Sequence, residues 1–250
     1  MHYRLAIINL LIIFCLSSCQ SINDTRENTG IPQFSVIFSF DDGPDEHTTA
    51  KLLDILNKHQ ITAIFCLLGK NAEQYPELAR RINNEGHYII NHGYSGRWVI
   101  GMNKNNFRNN LLMSEKAISA AIGQKITPKL YRPHGGYYNS KQREILTEEN
   151  YHIVPATIRA YDANESSANI QWVINTIIKK SIKNNGGIIL LHDGRDSYSQ
   201  RLIELEKNPE GPYNRSWIPE AVEEIIRTLS ENGFNFPNPE NFINSLVKKK

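Results

Sequence analysis

The sequence predicts a parallel α/β domain, and three observations point there. Apolar runs of strand length alternate with segments whose apolar residues recur at helical spacing, the pattern of repeated βα units. Several runs, such as 61–68 and 188–192, are apolar at successive positions, as strands buried on both faces are. Polar residues able to do chemistry recur where the runs end: Asp41 and Asp42, His92, Arg132 and His192. In a barrel of parallel strands those ends share one face, so distant stretches can converge there.

The first strand is 34–38, followed by Ser39-Phe40-Asp41-Asp42-Gly43-Pro44. Alternation along a strand sends Asp41 and Asp42 to different sides, so that one can hold a metal while the other faces a substrate. Gly43-Pro44 then turns the chain. Acidic and capping side chains at 45–49 precede a helix over 50–57. A buried strand at 61–68 is closed by Gly69, and a helix over 72–84 is ended by Gly86. A short strand, 87–92, comes next. A helix over 105–122 leads to a strand at 129–132 and the turn Pro133-His134-Gly135-Gly136. A helix over 140–150 precedes a strand at 151–158. The helix over 170–183 is strongly periodic, Gly186-Gly187 is a break, and 188–192 is a buried strand. A helix over 219–232 and a strand-like 234–236 finish the domain, with no internal repeat or low-complexity segment.

With 250 residues, 40% of them hydrophobic and 22% charged, the chain can bury a sizeable core. The net charge of +2 comes from interspersed residues. That excludes the clustered basic footprint of a nucleic-acid-binding protein, and Lys248-Lys249-Lys250 reads as a solvated tail. At the other end, Met1-His2-Tyr3-Arg4 is a short positive region and 5–16 is apolar except for Asn9. This run is too short to span a bilayer comfortably. It ends in Leu16-Ser17-Ser18-Cys19, which resembles the bacterial lipobox. Residues 1–18 are therefore expected to be a lipoprotein signal peptide, Cys19 the lipidated first residue, 19–33 a flexible tether and 34–250 the folded domain. Gln20 gives no Asp-type retention at an inner membrane. The expected place is the bacterial cell envelope, with the domain membrane-anchored through lipid and facing the periplasm or the exterior. Cys66 is then left without a disulfide partner and reads as a buried, inert thiol.

Taken in order, these motifs resemble those of the polysaccharide deacetylases, carbohydrate esterases that share a domain with the rhizobial chitooligosaccharide deacetylase. Ser39-Phe40-Asp41-Asp42-Gly43-Pro44 is similar to the family's first motif, with Ser where Thr is usual. Gly86-His87 through Asn91-His92 resembles the approach to the second, Arg132-Pro133-His134-Gly135-Gly136 the third, and Leu190-Leu191-His192-Asp193 the fifth. The resemblance runs from about Phe34 to the C-terminus. It implies a distorted (β/α) barrel with seven or eight strands in a single domain. It also implies a metal-dependent hydrolase that removes acetyl groups from sugars, acting on a linear amide where the group is N-linked. The metal implied is divalent: zinc, with cobalt or nickel as alternatives. The partner implied is an acetylated glycan, peptidoglycan or a chitin-like N-acetylglucosamine polymer, with O-acetyl groups left open. By that resemblance Asp42 and His92 are metal ligands and Asp41 is the general base toward the attacking water. Arg132 orients Asp41, and His192 is the general acid on the leaving amine or hydroxyl. The residue types suit the chemistry, because a bound cation makes water more acidic and a nearby carboxylate can take its proton. Tyr94, Gly135, Tyr137 and Leu190 are expected to bind substrate. Trp98, Tyr138, Tyr198 and Trp217 are further aromatic faces for stacking on sugars.

Two motifs depart from the family pattern. The second usually supplies two His ligands four residues apart, but here it reads His92-Gly93-Tyr94-Ser95-Gly96, with Gly96 where the second His is expected. Two side chains fall short of the three typical of a catalytic zinc site. Water or substrate fills the place, or His134 substitutes, standing where the third motif usually has Pro, or catalysis has been lost. In the last case the chain is a catalytically impaired homologue that binds glycan as an envelope lipoprotein. The fourth motif usually carries Trp and Asp. Here it reads Thr157-Ile158-Arg159-Ala160-Tyr161-Asp162, with Asp162 as the expected partner of His192 and Tyr161 as a replacement aromatic wall.

Overall fold

The computed structural model describes residues 19–21, 31–96, 99–195, 204 and 206–248. The predicted signal peptide lies outside them, as do Trp98, Tyr198 and most of the predicted tether. The strands are β1 (Cys19–Ser21), β2 (Ser35–Asp41), β3 (Ile64–Leu67), β4 (Tyr88–Asn91), β5 (Leu130–Tyr131), β6 (Tyr137–Asn139), β7 (His152–Ile153), β8 (Ile158–Arg159) and β9 (Gly186–His192). β1 pairs antiparallel with β6. The other seven form one parallel sheet in the order β7-β5-β4-β3-β2-β9-β8.

That order is the chain order read in a circle, with β9 closing onto β2. Only Val154-Pro155-Ala156-Thr157 separates β7 from β8, the two edges of the sheet. Four residues span at most about 18 Å and cannot contain a crossover helix, which takes a dozen residues or more. The sheet must therefore curl until its edges nearly meet. The result is a distorted (β/α) barrel of seven strands, left unsealed between β7 and β8, in a single domain. The expected strand at 151–158 is thus two short strands, one serving each edge. Pro155 interrupts it because proline has no N–H to give to a ladder.

Helices α1 (Thr49–Lys58), α2 (Gly69–Gln74), α3 (Pro76–Asn84), α4 (Lys104–Ile122), α5 (Ser140–Glu148), α6 (Ile170–Lys183), α7 (Ile218–Glu231) and α8 (Glu240–Lys248) complete the domain. The expected helix over 72–84 is two helices, because Pro76 suits a first turn and not an interior. α5 begins with a capping box in which Asn139 and Gln142 satisfy each other's backbone N–H groups.

Alternation along the strands divides the core in two. One set of side chains, including Phe38, Phe40, Phe65 and Leu191, packs outward on Leu52, Leu56, Ile177 and Ile225 of the helices. The other set, including Ile37, Ile64, Ile90, Leu130 and Ile188, fills the barrel interior together with Phe242 and Ile243 of α8. Each fully buried side chain of this size stabilises the fold by about 1.5–3 kcal/mol. The apolar packing also confines the interior polar groups to the carboxyl ends of the strands. No helix among the described residues is long and apolar enough to cross a membrane.

Candidate active site

β2 ends at Asp41, and the next residue leaves the strand: Asp42 has φ 72. The alternation expected to separate the two carboxylates therefore stops between them, and both line one cavity of about 500 Å³. The turn is held tightly. Asn71 Nδ2 donates to the Asp42 carbonyl at 2.7 Å and to the Arg195 carbonyl at 2.9 Å. Gly194 passes so close that a Cβ there would stand 2.2 Å from the Asp42 carbonyl oxygen.

Arg132 organises the base side. It follows β5, is fully buried, and its Nη1 donates to Asp41 Oδ1 at 2.7 Å and to Ser39 Oγ at 2.9 Å. Nη2 donates to the Pro155 carbonyl at 3.1 Å, so the guanidinium also holds the connector between β7 and β8. Burial opposes ionisation of Asp41 and is the largest single influence, but the charges of Arg132, His92 and His192 together outweigh it and the carboxyl is held below its ordinary value. Cys66 lies opposite Asp41 in the adjacent strand, fully buried, and burial pushes its thiol well up, as an inert cysteine requires.

Asp42, His92 and His134 converge. His92 Nδ1 lies 2.8 Å from the Arg132 carbonyl. A carbonyl only accepts, so Nδ1 carries the hydrogen and the Nε2 lone pair is free to face Asp42. Asp42 Oδ1 is 3.4 Å from His92 Nε2 and 3.3 Å from His134 Nδ1. The three ligand atoms all lie within 4.8 Å of one another. Among the described residues, Asp42 Oδ1 and His134 Nδ1 are buried without a hydrogen-bond partner. Two atoms bound tetrahedrally to one zinc at ordinary lengths stand about 3.3–3.4 Å apart. The donor set and its spacing therefore fit a divalent cation. Burial disfavours a charged Asp42, yet the two imidazoles overcome this and hold it well below its ordinary value.

On the opposite wall, His192 ends β9 with Nδ1 at 3.1 Å from Asp162 Oδ1. The His192 backbone N–H also donates to Asp162 Oδ2, at 2.9 Å. Burial lowers the His192 pKa, but Asp162, with smaller help from Asp42 and Asp41, more than reverses this and the net shift is upward. Buried Arg215 holds the Asp162 loop by donating to the Asp162 carbonyl at 2.6 Å. Asp193 turns away from the cavity to accept from Thr49 Oγ1 at 2.6 Å, and burial raises its pKa to about 7.

Of the residues expected to bind substrate, Gly135, Tyr137 and Leu190 line the cavity. Tyr94 does not: its hydroxyl donates to Glu73 at 2.8 Å and its ring lies against the Gly69 backbone. Tyr138 and Trp217 are buried and offer no stacking face. Tyr161, 62% exposed, does stand at the rim. Arg159, Arg195 and Tyr213 also line the cavity and were not anticipated. Arg159 ends β8 as Asp41 ends β2, so the strand-end pattern marked it. Nothing in the sequence singles out Arg195 or Tyr213.

The family model for polysaccharide deacetylases matches residues 29–154. The chain belongs to the polysaccharide deacetylase family. It is 35% identical over 201 residues to a peptidoglycan-N-acetylglucosamine deacetylase of Bacillus cereus, covering 80% of this chain and 65% of that relative's length. A chitooligosaccharide deacetylase of Rhizobium leguminosarum bv. trifolii is 25% identical over 67% of this chain and 75% of its own. A crystal structure of a peptidoglycan N-acetylglucosamine deacetylase superposes with a TM-score of 0.66 at 32% identity, covering 83% of this chain and 87% of that one. Within the family frame, the second-motif Gly96 also lines the cavity, opposite no ligand of its own, while the third-motif His134 stands beside Asp42.

Proposed function

We propose that this family member removes acetyl groups from an N-acetylated envelope polysaccharide, peptidoglycan or a chitin-like polymer, using a divalent cation held by Asp42, His92 and His134. The observation that carries the reading is the meeting of those three ligand atoms, two of them buried without hydrogen bonds among the described residues, between Asp41–Arg132 and His192–Asp162. The cation, zinc by its donor set, supplies Lewis acidity toward water and the acetyl carbonyl. Asp41, held ionised by Arg132, accepts the proton of the attacking water. His192, whose Nδ1 is occupied by Asp162, offers Nε2 to protonate the leaving nitrogen. Tyr137 and Tyr161 present faces for the sugar. The names of the relatives and the lipobox-like ending at Cys19 support an envelope glycan as substrate and anchorage through lipid.

The test is acetate release from chitooligosaccharides and peptidoglycan by metal-stripped protein, with zinc, cobalt or nickel returned, beside Asp41→Asn. Zinc should restore release, and Asp41→Asn should lower it about 10³-fold. If no metal gives release above that variant, hydrolysis is the wrong reading. The second reading, a glycan-binding homologue favoured by Gly96, would then replace it.

A further inference from the structure

The charges around the cavity do not balance. Asp41 is paired with Arg132, Asp162 with His192 and Arg215, and Asp42 faces two imidazoles. Arg159 and Arg195 line the same cavity, and among the described residues neither has a carboxylate at ion-pair distance. A cation on Asp42, His92 and His134 would add further positive charge.

Arg159 is placed by the sheet. It lies opposite Leu190, which lies opposite Ser39. Ser39 points into the barrel toward Arg132 and Leu190 lines the cavity. Arg159 therefore stands in the interior layer two residues before Asp41 and His192. Its Nε and Nη2 are buried and have no hydrogen-bond partner among the described residues. Donors left unmet in this way are costly unless something completes them. Arg195 is pre-positioned: Nη2 donates to the carbonyls of Ala163 and Pro212, and its guanidinium lies 4.9 Å from the Tyr213 ring centre. A planar guanidinium with free donors matches a carboxylate, to which it gives two parallel hydrogen bonds.

We propose that Arg159, assisted by Arg195, receives a carboxylate borne by the sugar itself, so that the preferred substrate is an acidic N-acetylated sugar whose carboxylate lies near the acetamido group. This rests on the deacetylase reading and narrows it. A lactyl ether acid on an N-acetyl hexosamine has this chemistry, and its methyl ester is the neutral control.

Binding to the zinc-loaded full chain, measured calorimetrically, compares a peptide-free tetrasaccharide of alternating N-acetylglucosamine and N-acetylmuramic acid with its methyl ester. The acid should bind at least tenfold more tightly. In Arg159→Gln the ratio should fall toward one, and Arg159→Lys should keep part of it. Equal binding of acid and ester by the unaltered protein overturns the proposal with no substitution involved, as does a ratio that survives Arg159→Gln. Free acetate that abolishes the difference at millimolar concentration also overturns it, because the arginine then serves the released acid. Acetate release from the acid tetrasaccharide and from neutral chitotetraose is followed in parallel, and release from either counts. Release without acid preference removes this proposal alone, whereas acid preference without release supports the subsite and removes the deacetylase reading.

Discussion

Asp41 and Asp162 are both buried at the mouth of the barrel, and the nearest side-chain nitrogen partner of each is Arg132 at 2.7 Å and His192 at 3.1 Å. The partners differ in kind. A guanidinium does not lose its proton in a protein, so Arg132 keeps its own charge at every working pH and favours the ionised form of Asp41 throughout. An imidazole titrates in the physiological range, so Asp162 sets how strongly His192 holds its proton. One pair fixes a charge and the other tunes one, which suits the acceptor and donor of protons proposed for them. The two pairs also differ in structural burden, since Arg132 additionally holds the connector between β7 and β8.

The largest effect should therefore come from Arg132→Met. It leaves Asp41 buried without its guanidinium partner and strands the carbonyl of Pro155, while Ser39 Oγ keeps only its bond to the Ile189 carbonyl. Breaking a buried pair from one side costs about 3–5 kcal/mol, and acetate release should fall below detection. Urea unfolding measures the first. The double variant Arg132→Met with Asp41→Asn should recover part of the stability and none of the activity. A single variant within about 1 kcal/mol of the parent would show that Arg132 is not the brace argued here.

Between the two pairs lies the proposed cation site of Asp42, His92 and His134, and His134→Ala tests it. Loss of one of three ligands should weaken zinc binding at least about 100-fold, since even outer-shell partners are worth 10–100-fold. Competition with a chromophoric chelator measures this. Adding Gly96→His to that variant sharpens the result: recovered affinity would mean that either position can supply the third ligand to one centre. Zinc binding unchanged by His134→Ala would remove His134 from the site.

The sequence displayed most of this because barrel chemistry sits at strand ends, and strand ends are legible as polar residues after apolar runs. Asp41, His92, Arg132 and His192 were visible in that way, and Arg159 obeys the same rule. Ring direction is not legible, so only the structure brings His134 Nδ1 toward Asp42. Nor is a positive φ at a non-glycine residue, and Asp42 therefore defeated the simple alternation. Tyr94 misled because a residue two after a metal-ligand candidate can still turn its side chain to a helix, here toward Glu73. Arg195 and Arg215 come from loops, whose paths depend on tertiary contacts and not on local pattern.

The smallest and most selective effect belongs to Asp162→Asn. Burial alone would lower the His192 pKa, and the Asp162 carboxylate is the main influence, ahead of Asp42 and Asp41, that turns the shift upward. A general acid must carry its proton, so activity fails as pH rises through that pKa. Removing the carboxylate leaves burial opposed only by the more distant Asp42 and Asp41, and the alkaline limb of the pH–rate profile should move toward acid, with kcat at neutral pH down roughly 10- to 100-fold. The acid limb should stay in place, because Asp41 is governed by Arg132, which this substitution does not touch. Initial rates across the pH range on a soluble chitooligosaccharide separate the two limbs. If the alkaline limb stays still while the rate falls, Asp162 only holds the loop and another group sets the proton affinity of His192. If both limbs move together, the two pairs are one coupled system and the contrast between them fails.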